Sequence, residues 1–71
     1  MVNAELFDQK VGESGFKFKY IAKQLGITEY GLIKKRKGVI PFKVNEINIL
    51  TPLLNLTADE RDTIFDLKSS K

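Results

Sequence analysis

Seventy-one residues with a net charge of +3 make a single small domain, near the lower size limit for a self-sufficient core. The chain contains no Cys and no His, which excludes disulfides, thiolate chemistry and the usual zinc sites. No apolar run approaches the ~20 residues of a membrane span and no signal peptide is visible, so we expect a cytoplasmic protein without membrane contact.

A first helix is predicted over residues 3–14. Asn3 can cap it by accepting from the free N–H groups of the first turn, and Glu5 suits the positive end of the helix dipole. Gly15 can end the helix in a left-handed conformation. The apolar stripe that should face the core consists of Leu6, Phe7 and Val11.

Aromatic rings alternate with lysines directly after this helix. Phe16 and Phe18 could stack on bases, since they alternate with Lys17 and Lys19. In so short a chain, however, aromatic rings are needed for the core. We therefore prefer a core role, most of all for Phe16, whereas Tyr20 could lie either in the core or at the surface.

Two short helices joined by a tight turn are predicted at residues 18–25 and 29–36. The first carries apolar residues at helical spacing. Gly26 can take the left-handed conformation that ends it, because glycine has no Cβ. Thr28 can cap the second helix by accepting from its free N–H groups.

The apolar spacing across this turn is that of a helix-turn-helix motif over about residues 18–37. Ile21, Ala22 and Leu25 share one face of the first helix. Ala22 must be small because the second helix crosses close to it, and Leu32 holds that helix against the first.

The positive charge is concentrated around this motif. Residues 17–43 hold eight cations against Glu29 alone, a local charge of +7, whereas the rest of the chain holds four cations and eight anions. A basic centre between acidic ends suits a polyanionic partner. The plainer interpretation is a solvated lysine-rich face. The helix-turn-helix motif favours a polyanionic partner over that interpretation.

An apolar loop and two further helices, at residues 44–54 and 58–67, complete the predicted fold. Phe42 should close the core between helices. Pro52 either kinks the last turn of its helix, which we prefer, or begins a new short turn capped by Thr51. The stripe expected to be buried in this helix is Val44, Ile47, Leu50, Leu53 and Leu54.

The last helix begins with a capping box, because the spacing of Thr57 and Glu60 lets each satisfy the other's backbone N–H. Asp59, Glu60 and Asp62 could suggest metal or acid–base chemistry, but their place in the first turn explains them better. Residues 69–71 should fray. The prediction is thus one all-α domain of five short helices around one core.

The chain resembles the small Cro/repressor-like (XRE-type) helix-turn-helix regulators, particularly those of phages and prophages, in GFKFKYIAKQLGITEYGLIKK, in IPF at residues 40–42, in Glu46-Ile47 and in LTADERDTIF. The resemblance covers residues 6–67. It implies a lambda-repressor-like DNA-binding domain that reads the major groove with the helix at 29–36. The expected function is sequence-specific transcription regulation, by a homodimer on a double-stranded DNA operator in a bacterial host cell.

The resemblance also implies which residues contact DNA. Those presented to the bases are Glu29, Tyr30, Ile33 and Lys34. Those expected at phosphates are Lys19, Lys23, Thr28, Arg36, Lys37 and Lys43. Glu29 could accept from a cytosine amino group and Lys34 could donate to guanine. Glu29 equally suits the helix dipole, and Ile33 could be a core residue.

Two departures from the family pattern motivate a second hypothesis. Phe18 stands where the family often has a phosphate-binding Gln, and Gly31 costs about 1 kcal/mol relative to Ala inside a helix. The alternative is a modulator or antirepressor that keeps the fold but binds another regulator protein. For either function we expect a protein interface at Ile64, Phe65 and Leu67, unless the first two close the monomer core.

We do not expect an enzyme. The sequence offers no positioned nucleophile–base pair and no cofactor-binding loop. Without His or Cys it also offers no usual metal site. The expected function therefore requires no metal and no cofactor.

Overall fold

Five α-helices and no strand make up residues 2–67, the part of the chain that the computed structural model describes. They are α1 (Ala4–Ser14), α2 (Phe18–Leu25), α3 (Glu29–Arg36), α4 (Val44–Leu53) and α5 (Ala58–Phe65). The radius of gyration, 11.2 Å, is close to the ~11 Å of a compact domain of this length. The all-α class and the helix positions are confirmed, whereas the fraying predicted for residues 69–71 lies outside the described residues.

Local signals in the sequence fix the ends of the helices. At the start of α1, Asn3 Oδ1 accepts from Leu6 N at 3.1 Å. Gly15 ends the same helix with a φ of 78°. At the start of α5, Glu60 N donates to Thr57 Oγ1 at 3.1 Å and Thr57 N donates to Glu60 Oε1 at 2.9 Å. The predicted capping box is confirmed.

One apolar core lies between the five helices. Its buried members are Phe7, Val11, Ile21, Ala22, Leu25, Leu32, Ile47, Leu50, Leu54, Leu56, Ile64 and Phe65. The ring of Phe7 is fully buried and lies 5.9 Å from that of Phe18 and 6.0 Å from that of Phe42, centroid to centroid. Phe42 therefore closes the core from the loop between α3 and α4, as predicted.

The start of α4 differs from the predicted stripe, whereas Leu54 at its other end is buried as predicted. Val44 is 75% exposed, because it is the first helical residue and the buried face of α4 begins one turn later. Pro52 lies within the helix, which ends one residue beyond it. Thr51 does not cap a new turn, since its hydroxyl donates to Ile47 O at 2.8 Å inside the helix.

Most of the apolar interface predicted at the end of α5 is buried within the monomer. Ile64 is fully buried and Phe65 is 8% exposed. Asn3 N donates to Ile64 O at 2.8 Å, and the Phe65 ring packs edge-on against Phe42 at 5.0 Å. These contacts place both side chains in the monomer core, which corrects the interface expected there. Leu67, beyond the end of the helix, is 48% exposed.

Candidate nucleic-acid interface

A turn at residues 26–28 joins α2 to α3. Gly26 has a φ of 73°, and Ile27 N donates to Ala22 O at 3.0 Å, which closes the end of α2. Ala22 and Leu32, the two residues predicted to bring the helices together, are both buried. The turn and the small residue thus let α3 lie against α2 with its other face in solvent.

Thr28 caps α3 at the glycine inside that helix. Thr28 Oγ1 accepts from Gly31 N at 2.9 Å. A Cβ at Gly31 would lie 3.2 Å from the same oxygen, a tight contact that requires a small shift of the threonine. Thr28 is exposed, and its hydroxyl hydrogen can still donate to an anion.

The solvent face of α3 carries three groups of different chemistry. Tyr30 is 66% exposed, and Lys34 Nζ lies 4.6 Å from the centroid of its ring. Glu29 is exposed at the start of the helix, whereas Ile33 is half-buried. The structure therefore brings Tyr30 and Lys34 together on one face and leaves Ile33 only partly available.

Six lysines lie on α2, on α3 and in the segments next to them, namely Lys17, Lys19, Lys23, Lys34, Lys37 and Lys43. Among residues 2–67 none of the six forms an ion pair. Four of them, in α2 and in the loop after α3, belong to the predicted phosphate contacts and are exposed. Lys17, at the N-cap of α2, is exposed as well and was not part of the predicted set.

The aromatic residues beside these lysines pack on the protein. Phe18 lies against the ring of Phe7, and Phe16 lies 4.7 Å from the ring of Tyr20 at an angle of 33°. Both phenylalanines also pack against the buried core. The core role preferred from the sequence is therefore confirmed only in part, because Phe16 and Phe18 are partly buried at the edge of the core, while Tyr20 is 42% exposed.

Arg36, predicted at a phosphate, is engaged by α1 instead. Its Nε donates to Asp8 Oδ1 at 2.7 Å, and its Nη2 donates to Asp8 Oδ2. The hydrogen bond from Arg36, and then its charge, lower the pKa of Asp8 although partial burial opposes this. Because the guanidinium is held in a two-bond pair, Arg36 ties α3 to α1, and its predicted phosphate contact requires this exposed pair to open.

Lys35 and Glu46 form a buried ion pair that the sequence did not reveal. Lys35 is 6% exposed and Glu46 is 3% exposed, with Lys35 Nζ 2.7 Å from Glu46 Oε1. Lys35 lies three residues after Leu32, on the buried face of α3. The spacing from Leu32 indicates that Lys35 lies on the buried face of α3, whereas the run of four cations predicts an exposed side chain.

The carboxyl group of Glu46 is held charged by its partners. Burial by itself would raise its pKa, but the hydrogen bonds from Lys35 and from the Lys43 amide, the latter at 2.8 Å, outweigh burial and lower it. The pair and Arg36–Asp8 together neutralise two of the eight cations of residues 17–43, using anions from outside that segment.

Stability should therefore fall in acid. The pKa of Glu46 is lower in the folded chain than its ordinary value of 4.5, so the contribution of the charged group is complete above that pH and is lost as the pH falls through the lowered pKa. In melts followed by circular dichroism, we expect a Tm that decreases below about pH 4.5. Glu46→Gln should start less stable and depend less on pH, whereas Asp59→Asn at an exposed site should follow wild type. Equal acid slopes for wild type and Glu46→Gln would contradict this assignment.

The described residues carry neither a membrane-spanning helix nor a metal-binding cluster. No helix between residues 2 and 67 is both long and apolar enough to cross a membrane. Over the same residues, no group of three or more His, Cys, Asp or Glu side chains could hold a metal ion. Comparison with protein-family models, with curated proteins and with solved structures gives no match.

Proposed function

We propose that this chain is a sequence-specific, DNA-binding transcriptional regulator of the Cro/repressor type, with a lambda-repressor-like helix-turn-helix fold. In this proposal α3 enters the major groove of a double-stranded operator, and lysines from α2 and from the loop after α3 contact phosphates. Two copies bind one operator, each reading half of it. The protein acts in the cytoplasm of a bacterial host cell.

The observation that carries the proposal is the exposed face of α3, together with lysines on α2 and in the loop after α3 that form no ion pair among residues 2–67. Tyr30 and Lys34 project from a short helix that is buried only through Leu32 and Lys35. An α-helix with such a face fits the width of the major groove. The Lys34 ammonium can leave the Tyr30 ring to donate to guanine, at a cost of about 0.5–1 kcal/mol for an exposed cation–π contact.

The charge arrangement suits a phosphate backbone more than a general acidic surface. Phosphate contacts commonly come from lysines and from helix N-termini that flank the base-reading helix. Here Lys19 and Lys23 lie on α2, and Lys37 and Lys43 bound the loop after α3. The Thr28 hydroxyl and the free N–H groups beside it add a further anion contact at the start of α3.

A second candidate is the modulator that binds another regulator protein. One observation favours it: Leu67 is 48% exposed and lines a surface cleft together with Phe42 and Phe65, while Val39 and Val44 are 67% and 75% exposed. Exposed apolar groups around a cleft are typical of protein contacts. This candidate predicts binding to a regulator in the absence of DNA, and only non-specific affinity for duplexes.

The decisive experiment is selection from a randomised duplex library, followed by anisotropy titrations at several salt concentrations. Lys34→Ala should cost about 1–3 kcal/mol on the selected duplex and relax one base position. Lys23→Ala should weaken all duplexes alike and lower the salt slope by about one unit. The different outcomes distinguish base reading from backbone contact.

Arg61→Ala is the matched control, because Arg61 lies on α5 and pairs with its neighbour Asp62. This variant should bind the selected duplex as wild type does. If no duplex is enriched, or if Lys34→Ala leaves both affinity and base preference unchanged, α3 does not read DNA. Capture of a regulator protein by the same chain would then support the modulator.

A further inference from the structure

The Lys35–Glu46 pair links three segments of the candidate interface. Lys35 Nζ lies 2.7 Å from Glu46 Oε1 and 3.4 Å from Pro41 O, and 6.0 Å from the centroid of the Phe42 ring. The same Glu46 oxygen accepts from Lys43 N at 2.8 Å. One buried pair thus contacts α3, the loop at residues 37–43 and the start of α4.

Helix α3 packs on α2 and has few attachments to the other helices. Only Leu32 and Lys35 are buried among its residues. Leu32 lies in the first half of the helix, so the second half is held by Lys35 on one side and by the exposed Arg36–Asp8 pair on another. The buried pair is therefore the main attachment of the end of α3 from which the loop departs.

A pair of apolar side chains at positions 35 and 46 would lose less solvation on burial than Lys35 and Glu46 do. Two charges taken out of water lose much solvation, and well-packed apolar replacements of buried ion pairs are often neutral or stabilising. Apolar contacts are non-directional, however, whereas an ammonium–carboxylate contact with a defined set of acceptors fixes direction. The chemistry of the pair suits positioning better than it suits stability.

We propose that Lys35 and Glu46 are positioning residues that hold α3 and the loop at residues 37–43 in one arrangement. The consequence, which rests on the proposed function, is that Lys37 and Lys43 stay in register with Tyr30 and Lys34 on the DNA. Phosphate contacts that are in register set the position of α3 in the groove. The pair therefore determines discrimination between sequences without touching DNA.

The test compares stability and discrimination in two variants that should change them in opposite directions. The apolar double variant Lys35→Met/Glu46→Leu should fold with a Tm at or above that of wild type. Its preference for the selected duplex over random duplex should fall about tenfold, because each misplaced contact weakens specific binding. Glu46→Gln should be less stable than wild type. Its amide oxygen can still accept from both Lys35 Nζ and Lys43 N, so the directional contact remains and the variant should keep its discrimination when measured at a temperature where it is folded.

The control is the double variant Arg61→Met/Asp62→Leu, which removes a partly exposed pair from α5 and should change neither quantity. Discrimination that follows stability across the variants would overturn the proposal. Full discrimination in the apolar double variant would overturn it as well.

Amide exchange separates this inference from the proposed function. Gly38 N and Val39 N donate to the last carbonyls of α3, at 3.1 and 3.0 Å. In the apolar double variant these two amides should lose about tenfold in protection, as expected when a local unit opens more easily. If wild type binds no duplex specifically, DNA binding fails while this result still tests the positioning. The double variant removes the oxygen that accepts from Lys43 N. If the Lys43 amide alone loses protection, the positioning proposal is overturned.

Discussion

Phe7→Ala is expected to remove a large part of the stability of the domain. The Phe7 ring is fully buried between Phe18 at the start of α2 and Phe42 in the loop after α3. Truncation of a buried phenylalanine costs about 3–5 kcal/mol. A domain of this length has about 4–11 kcal/mol of total stability. One substitution therefore removes a large share of the stability and loosens both segments that flank α3.

The measurement is urea unfolding followed by circular dichroism. Phe16→Ala is the matched control, because that ring is only partly buried and packs on Tyr20 at the surface. It should cost about 1–2 kcal/mol and leave a cooperative transition. A Phe7→Ala variant that unfolds with nearly the wild-type midpoint would show that the aromatic cluster is not the centre of the core.

The helices were predictable because their signals are local. Asn3, Thr28 and Thr57 each cap within three residues of the group they satisfy. Gly15 and Gly26 stop helices where a left-handed residue is needed. Such contacts depend on spacing along the chain, which the sequence displays directly.

The partners of the charged residues were not predictable in the same way. Lys35 and Glu46 are 11 residues apart, and Arg36 and Asp8 are 28 apart. A run of four cations predicts a basic surface, but only packing decides that Lys35 faces inward and that α1 brings Asp8 to Arg36. Two of the four cations, Lys35 and Arg36, thus form ion pairs within the protein, while Lys34 and Lys37 stay available to contact a partner.

The same limit applies to the last helix. Sequence spacing identified Ile64, Phe65 and Leu67 as apolar, and a short helix was expected to bury few of them. The contacts of α5 with α1 and with Phe42 bury the first two. Asp66 then takes a left-handed conformation that ends α5 before Leu67. Burial depends on the neighbours of a helix, which spacing does not reveal.

The proposed dimer is expected to bind much more weakly to DNA in which the spacing between the two half-sites is altered. Two copies related by a two-fold axis place their α3 helices about 34 Å apart, one helical turn of DNA. Inserting five base pairs turns one half-site to the opposite side of the duplex, so only one copy can bind in register. Because the second copy otherwise binds at a high effective concentration, the affinity should fall about 10²–10⁴-fold.

The control is an insertion of five base pairs outside the two half-sites, which lengthens the duplex, leaves the spacing of the half-sites unchanged and should keep the full affinity. Anisotropy gives the affinities, and sedimentation of the complexes gives one or two copies per duplex. An affinity that does not change with spacing, together with one copy on every duplex, would contradict the dimer. That result would leave base reading by α3 in place, since each half-site contacts α3 of a single copy. It would also require one chain to supply the whole specific affinity from Tyr30, Lys34 and the surrounding lysines, which is more than a single module of this size usually provides.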